Sequence, residues 1–253
     1  MQTDDSKKRL VLLENEKTFF SIIMNYYQKR NTFSDEFRKD FSEILKTVHN
    51  GRKCVCVITG VNDCFCAGAD VSTVLSKEKK GIKEYLISIT NEIAKIESST
   101  KIFISAINGY CLGGGLELAM ATDYIIASKD AKFGLPEIKL GLVPGADGIK
   151  RLVRAVGRRK AFELVISGKT FSAKEALGMG LINEVVSRRK LMARAQELAE
   201  EISSKNPVAV SAIKRLSHMA LYKDITNEEI KAFQDCLKTE YARKAIAAFL
   251  ERK

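Results

Sequence analysis

The fold of this 253-residue chain is decided by the stretch Asn108-Gly109-Tyr110-Cys111-Leu112-Gly113-Gly114-Gly115-Leu116-Glu117. Its three glycines are followed by small and apolar residues, which predicts a loop that leads into a buried helix. The glycines leave the backbone N–H groups at the helix start uncovered, and these groups together with the helix dipole favour an oxyanion. A glycine run by itself is also what a tight turn requires. The stretch is neither a phosphate loop nor a dinucleotide site, because it contains neither G-x-x-x-x-G-K-[ST] nor G-x-G-x-x-G.

Glu117 is set apart from an ordinary surface glutamate by its neighbours. Leu116 precedes it, and Leu118-Ala119-Met120-Ala121 follow it. A carboxylate on an apolar helix costs free energy unless it has a partner or a function. Burial raises the pKa of such a group, which suits a role in acid–base chemistry.

Two further motifs lie on either side of this stretch. Phe65-Cys66-Ala67-Gly68-Ala69-Asp70 places a glycine between two small residues, which lets the backbone approach a ligand closely. Phe133-Gly134-Leu135-Pro136-Glu137-Ile138 carries a second glutamate and is followed by Gly141-Leu142-Val143-Pro144-Gly145. Each motif is weak alone, whereas the three in this order are specific.

Outside the motifs, apolar periodicity predicts an α/β protein with mainly parallel strands. Two apolar runs within residues 10–25 predict a β-hairpin, and Ser34 is the expected N-cap of a helix over residues 31–48. We expect a catalytic core over residues 1–190 and a helical region over residues 191–253. The other predicted strands are 54–59, 102–107 and 124–127, and the other predicted helices are 81–96, 151–156, 159–167, 173–178, 188–203, 207–222 and 227–252.

The composition excludes several classes of protein. The net charge of +11 would suit a polyanion, but the basic residues are scattered and no nucleic-acid-binding motif is present, so a phosphorylated small ligand is the better interpretation. The sequence contains no run of about 20 apolar residues, so it predicts no membrane-spanning helix. The polar N-terminus predicts no signal peptide, so we expect a cytoplasmic protein.

Four of the six cysteines form two C-x-C pairs, which a metal site could use. Zinc sites usually space their cysteines more widely, as C-x2–4-C. Cys54 and Cys56 lie in an apolar, strand-like run, where side chains two residues apart share a face. We therefore expect small buried side chains there, and no metal.

The three motifs together resemble the crotonase superfamily, the enoyl-CoA hydratase/isomerase enzymes. The resemblance runs from about Arg30 to the C-terminus and includes Ser-Gly-Lys-Thr-Phe-Ser-Ala-Lys-Glu-Ala-Leu-Gly-Met-Gly-Leu-Ile, residues 167–182. It implies a ClpP/crotonase-like fold of repeated ββα units, with a helical C-terminal region that makes trimer contacts. A homotrimer or homohexamer is the implied assembly.

The resemblance also implies a role for each matching residue. The N–H groups of Ala69 and Gly114 would form the oxyanion hole, and Glu117 and Glu137 would be the two catalytic carboxylates. Coenzyme A would enter only as part of an acyl-CoA substrate, with no further cofactor. The implied residues for CoA binding are Lys29, Arg30, Ala67, Ala69, Asp70, Gly114, Phe249 and Arg252.

Two departures from the family pattern affect the expected site. Residues 24–28 replace the usual Leu-Asn-Arg-Pro-like run, so the CoA loop could differ from that of the family. Lys29 and Arg30, which follow this run, would equally suit a solvated basic turn. Asp147 stands where hydratases usually have glycine, close to Gly145 and to the expected acyl end of the site. It could bind a polar acyl group, act as an additional acid or base, or be a surface substitution.

The activity implied by the resemblance is reversible hydration of a trans-2-enoyl-CoA to a 3-hydroxyacyl-CoA, as in fatty-acid β-oxidation. Both carboxylates are glutamates, which is the hydratase pattern, whereas similar isomerases commonly keep only the second. Double-bond isomerisation through Glu137 is the alternative. A non-catalytic RNA-binding or scaffolding relative is a further alternative, although such a protein would gain nothing from two carboxylates in apolar surroundings.

Overall fold

The computed structural model describes residues 9–250, except for the side chain of Lys79. Ten strands and eleven α-helices are found in this range. The strands are β1 (Val11–Asn15), β2 (Phe20–Met24), β3 (Val55–Gly60), β4 (Cys64–Cys66), β5 (Ile102–Ile107), β6 (Tyr110–Leu112), β7 (Tyr124–Ser128), β8 (Lys132–Gly134), β9 (Phe171–Ser172) and β10 (Glu184–Val186). The helices are α1 (Asp35–Asn50), α2 (Val71–Leu75), α3 (Lys79–Glu97), α4 (Gly114–Met120), α5 (Gly148–Val156), α6 (Arg158–Ser167), α7 (Ala173–Gly178), α8 (Leu191–Ser203), α9 (Pro207–Met219), α10 (Thr226–Leu237) and α11 (Glu240–Leu250).

Six strands form a large sheet in the order β1-β2-β3-β5-β7-β10. The β1–β2 pair is antiparallel, which confirms the predicted hairpin, and the other four pairs are parallel. Side chains alternate along β3, so that Cys56 and Ile58 join one apolar cluster while Val55 and Val57 join another. The sheet is therefore buried on both faces, as parallel sheets usually are.

A second, smaller sheet was not predicted. It has the order β4-β6-β8-β9, with parallel pairs except β8–β9. Its strands have only two or three residues, too few for an alternating pattern to show in the sequence. Three of them lie inside or directly beside the sequence motifs, so this sheet is the frame of the expected site.

Helix α1 begins where the sequence predicts. The Ser34 side chain accepts a hydrogen bond from the backbone N–H of Phe37 at 3.2 Å, which is the arrangement of an N-cap. The apolar face of α1 buries Phe37, Phe41 and Leu45. At three to four residues apart, these side chains form one stripe that packs onto the core.

The predicted single helix over residues 227–252 is wrong, because α10 and α11 are separate. The break lies at Thr239, whose hydroxyl donates to the carbonyl of Cys236 at 2.6 Å and accepts from the backbone N–H of Ala242 at 3.2 Å. Threonine hydroxyls compete in this way with the helical backbone ladder. The helical pattern on both sides of the break hides it in the sequence.

The prediction that Cys54 and Cys56 share one face of a strand is also wrong. The strand begins only at Val55, and Cys54 packs against the apolar cluster on the side opposite Cys56. Within residues 9–250 the cysteines are free, and no group of three histidine, cysteine or acidic side chains could hold a metal ion. No described helix combines the length and apolarity needed to cross a membrane.

Candidate active site

The small sheet brings the three sequence motifs together, because its parallel strands β4, β6 and β8 end at the same edge. Ala67-Gly68-Ala69 follows β4, Gly113-Gly114 follows β6, and Leu135-Pro136-Glu137 follows β8. The pairing of β4 with β6 and of β6 with β8 makes the three segments neighbours. The order of the motifs along the chain is thus also their order across the sheet.

The two glycine loops touch each other directly. A Cβ atom on Gly68 would lie 2.9 Å from the nitrogen of Gly114 and 3.0 Å from the carbonyl oxygen of Leu112, so only glycine fits. Gly68 and Gly113 also have φ angles of +96° and +52°, which L side chains rarely adopt. The predicted N–H donors, those of Ala69 and Gly114, are therefore carried by loops in contact. Because α4 begins at Gly114, its N–H has no acceptor within that helix.

The loop of Ala69 is held by residues that the sequence analysis did not single out. The backbone N–H of Phe33 donates to the carbonyl of Gly68 at 2.9 Å. The hydroxyl of Tyr85, which is buried on α3, donates to the carbonyl of Phe33 at 2.6 Å. Asn31 is fully buried, and its side-chain amide donates to the carbonyls of Cys64 and Phe65 at 3.0 Å each. Asn31 thus fixes the strand that leads to the predicted oxyanion hole, and Tyr85 supports the loop after it through Phe33.

Glu117 lies in α4 with only 3% of its surface exposed. Its Oε1 atom accepts hydrogen bonds from the backbone N–H groups of Ala146 at 2.8 Å and Gly148 at 2.9 Å. Burial raises the pKa of this carboxyl, while the two backbone donors and the positive charge of Arg151 lower it in part. The net direction is upward, as expected from its apolar neighbours in the sequence.

Glu137 follows Pro136 in a single 3-10 turn, and its carboxyl lies over Gly113. A Cβ atom on Gly113 would be 2.9 Å from Oε1 of Glu137. The Oε2 atom is buried and has no hydrogen-bond partner within the described chain. Burial raises the pKa of Glu137 to about 7, and the negative charge of Glu117 contributes to the rise. A buried oxygen without a partner, at a group that titrates near neutrality, is suited to proton transfer.

Asp147 separates the two residues whose N–H groups bind Glu117. Its φ angle of +64° explains why glycine would suit this position, and aspartate is among the residues that tolerate it. The Asp147 side chain is half-buried and forms an ion pair with Lys150 one turn along α5. Its negative charge adds slightly to the upward shift of the Glu117 pKa. Gly145 lies nearby, against the side chain of Leu86 of α3. A Cβ atom at Gly145 would be only 2.8 Å from a methyl carbon of Leu86, so a larger residue would need Leu86 to move.

The segment predicted to bind CoA runs beside the loop that follows β4. The backbone N–H of Ala67 donates to the carbonyl of Arg30 at 3.0 Å. Asp70 caps α2 by accepting from the backbone N–H groups of Ser72 and Thr73, and it lies 3.9 Å from the Lys29 ammonium. The Ser72 hydroxyl is the main cause of the lowered pKa of Asp70, with burial opposing it. The structure thus places these four predicted residues together.

Of the two predicted C-terminal residues, the structure describes only Phe249. Phe249 is near the end of α11, with 65% of its surface exposed. Arg252 is outside the described residues. The CoA-binding role of both residues stays a prediction.

Residues 14–253 match the sequence pattern of the family described as enoyl-CoA hydratase/isomerase. The chain therefore belongs to the enoyl-CoA hydratase/isomerase family, which confirms the resemblance seen in its motifs. The family is named for two enzyme activities, and the fold and the two buried carboxyls described above agree with an enzyme.

Two individual relatives and one solved structure show how similar the chain is to known proteins. The short-chain-enoyl-CoA hydratase of Clostridium acetobutylicum is 35% identical over 248 residues, which cover 96% of this chain and 95% of the relative. The 2,3-dehydroadipyl-CoA hydratase of Escherichia coli is 35% identical over 208 residues, 79% of this chain and 78% of the relative. A crystal structure of an enoyl-CoA hydratase from Bacillus anthracis superposes with a TM-score of 0.92 at 30% identity, covering 96% of this chain and 97% of that one. This likeness confirms the predicted crotonase fold.

Proposed function

We propose that this protein catalyses the reversible hydration of a trans-2-enoyl-CoA to a 3-hydroxyacyl-CoA. The observation that carries the proposal is the pair Glu117 and Glu137: two carboxyls of raised pKa that follow neighbouring strands, beside uncovered N–H groups. Relatives named as enoyl-CoA hydratases, including a short-chain one, support it. No redox or metal cofactor takes part in the proposed reaction.

The first step polarises the substrate. The N–H groups of Ala69 and Gly114 would donate to the thioester oxygen, where negative charge develops as the enolate forms. Donors that are already oriented stabilise such charge without reorganisation, and this stabilisation commonly contributes more to the rate than any other single effect. Withdrawal of electrons toward the thioester makes Cβ of the conjugated double bond electrophilic.

The second step adds water across the double bond. Glu117 would orient a water molecule at Cβ and take its proton as the new C–O bond forms. Glu137, which is close to half protonated at neutral pH, would give its proton to Cα. One proton is gained by the carboxylate pair and one is lost, so the sum is the addition of one water.

The test follows the absorbance of the 2-enoyl thioester with crotonyl-CoA and longer enoyl-CoAs. We expect hydration by the wild type, and a collapse of activity in both Glu117→Ala and Glu137→Ala, of about 100-fold or more because each removes an acid or base of the reaction. Absence of hydration by the wild type with every acyl-CoA would overturn the proposal. Double-bond migration in a 3-enoyl-CoA that survives Glu117→Ala would point to an isomerase instead.

A homotrimer or homohexamer is proposed as the working assembly. The support is the number of large apolar side chains that one chain leaves exposed on its C-terminal helices, more than isolated surface residues usually account for. They are Ile230, Phe233, Leu237, Tyr241, Ile246, Phe249 and Leu250. We also propose a cytoplasmic location and a role in acyl-chain degradation such as β-oxidation.

A further inference from the structure

Arg151 connects the loop that holds Glu117 to a distant part of the fold. It lies on α5 with 4% of its surface exposed, and its Nη1 atom donates to the carbonyl oxygen of Ala146 at 2.6 Å. That carbonyl belongs to the peptide group between Ala146 and Asp147. The two N–H groups that bind Glu117 belong to the peptide groups immediately before and after it. Arg151 therefore holds the central one of three consecutive peptide groups.

The rest of the guanidinium is fixed by Glu97 at the end of α3. Its Nη2 and Nε atoms donate to Oε2 of Glu97 at 2.8 Å and 3.2 Å. The other carboxylate oxygen of Glu97 lies 3.6 Å from Arg154 and 3.8 Å from the ring of His218. A planar guanidinium held on two sides has little freedom to rotate, so the position of the Ala146 carbonyl is closely defined.

The turn at Asp147 gives this contact its importance. A non-glycine residue at φ +64° is less favourable than one in an ordinary helix or strand. Arg151 supports the turn twice, through its side chain on Ala146 and through its backbone N–H, which donates to the Asp147 carbonyl at 3.0 Å. Without the side-chain contact, the peptide groups on both sides of Asp147 would be free to rotate away from Glu117.

We infer that Arg151, anchored by Glu97, is a positioning residue that keeps the backbone donors of Ala146 and Gly148 on Glu117 and so aims this carboxylate at the reacting water. The inference rests on the proposed hydration. The charged and titratable groups that face Glu117 are Arg151 and Asp147 from the α5 side, Glu137 from the loop after β8, and the thiol of Cys66 from β4. Burial raises the pKa of the Cys66 thiol, so it remains neutral.

The kinetic test compares Arg151→Met and Arg151→Lys with the matched control Arg154→Met. Arg154 also lies near Glu97 and stacks on Tyr222, but the loop at Ala146 is held by Arg151. We expect Arg151→Met to lower kcat about 10- to 100-fold with little change in KM, because a misaligned carboxylate harms the transition state and not CoA binding. Arg151→Lys should recover part of the loss, and Arg154→Met should stay within about 2-fold of the wild type, since it leaves the donors in place.

A double-mutant cycle separates positioning from general damage. In a Glu117→Gln background, Arg151→Met should lower kcat less than about 3-fold further, because the two residues act through one carboxylate. An equal loss in both backgrounds, or a loss carried by KM, would overturn the inference. If Arg151→Met fails to fold, Glu97→Gln serves instead, since it removes the anchor and keeps the arginine.

A second readout does not need turnover. Carbon-13 titration of the Glu117 carboxyl should show a raised pKa in Arg151→Met, because a cation is lost and two backbone donors are weakened, and an unchanged pKa in Arg154→Met. Arg151→Lys keeps the cation and loses the rigid contact, so a pKa that is still raised in this variant reports the loss of the donors alone. An unchanged Glu117 pKa in Arg151→Met would refute the positioning role. A protein that shows the shift but hydrates no enoyl-CoA would refute only the proposed reaction.

Discussion

Glu117 and Glu137 interact as a pair, and their protonation should be considered together. Each carboxyl has a raised pKa because it is buried, and the negative charge of Glu117 adds to the shift at Glu137. The pair is therefore most easily occupied by one proton near neutral pH. For Glu137 this has a cost in stability: its pKa is above that of an unfolded glutamate, so the native state loses stability as the pH rises from about 4.5 to 7.

One shared proton makes a definite prediction for the pH dependence of catalysis. In the proposed hydration, Glu137 is protonated at the start and Glu117 at the end, and in dehydration the order is reversed. Both directions therefore need the singly protonated pair. We expect kcat/KM to be bell-shaped with its alkaline limb near pH 7, where Glu137 loses its proton.

The measurement is initial velocity against pH with crotonyl-CoA and with 3-hydroxybutyryl-CoA. The two profiles should coincide after scaling, since the equilibrium constant for adding water is independent of pH. Glu137→Gln should abolish the alkaline limb of any residual activity. A flat profile across pH 6 to 8.5, about the range in which a group of pKa near 7 titrates, would contradict a proton-donating role for Glu137.

At the same scale, the proposed reacting groups could be predicted from the sequence better than the residues that support them. Glu117 was recognisable because a charge in an apolar helix is unusual, and Glu137 because its motif matches the family. Arg151, Glu97 and Tyr85 were not recognisable, because the contacts of Arg151 with Glu97 and of Tyr85 with Phe33 join residues more than 50 positions apart. A charged residue in an amphipathic helix looks the same in a sequence whether it faces water or anchors a loop.

Among the elements, long ones were predictable and short ones were not. The hairpin, α1 with its Ser34 cap, and β3, β5 and β7 each have enough residues to show a period or an apolar run. The four strands of the small sheet are too short to show such a pattern. Their hydrogen bonds also depend on neighbours that are remote in the chain. The break between α10 and α11 was missed for a similar reason: it depends on the Thr239 hydroxyl, which also accepts a hydrogen bond from Asn206 at 2.9 Å.

An ion pair between a buried lysine and a partly buried aspartate joins α9 to the core. Lys214 of α9 donates to the carboxylate of Asp123 and to the carbonyl oxygens of Ile96 and Lys101, all at 2.8 to 2.9 Å. Burial lowers the pKa of Lys214 and raises that of Asp123, and each charge offsets the shift of the other. The desolvation of both charges makes the pair costly to break from one side.

Lys214→Met should therefore reduce the free energy of unfolding by about 2–3 kcal/mol, because it removes the cation from a partly buried carboxylate and a donor from two carbonyls, while Asp123 keeps the backbone N–H of Phe103. Denaturant unfolding, followed by circular dichroism at fixed protein concentration, measures this. Lys205→Met is the matched control, since Lys205 is largely exposed and should change stability by no more than about 0.5 kcal/mol. Equal effects of the two substitutions would show that α9 is held by its apolar face alone.

For the molecule as a whole, the net charge of +11 has a functional interpretation. Acyl-CoA carries several phosphate charges at the end opposite the reacting double bond. A positive molecule attracts such a ligand over distances comparable to the Debye length, about 10 Å at 0.1 M salt. The exposed basic residues Lys29 and Arg30, beside the loop of Ala69, are in the region where the sequence predicts CoA binding.

We expect KM for crotonyl-CoA to rise several-fold between about 20 and 300 mM salt, as screening shortens the range of attraction, while kcat stays nearly constant. Crotonyl-pantetheine is the matched control substrate, because it keeps the thioester and lacks the nucleotide phosphates. Its KM should hardly respond to salt. The same salt response for both substrates would mean that the charge acts on the fold or the reacting groups and not on the nucleotide.

The small sheet also sets the scale on which this site is built. Adjacent strands of a β-sheet are about 4.8 Å apart. The paired strands β4, β6 and β8 are each followed by one loop of the proposed site. The loops that carry Ala69, Gly114 and Glu137 therefore begin at successive intervals of one strand spacing. Hydrogen bonds between the strands keep this spacing nearly constant. A change of reaction on this sheet would therefore come from exchanging side chains in the three loops, while the spacing of the loops stays the same.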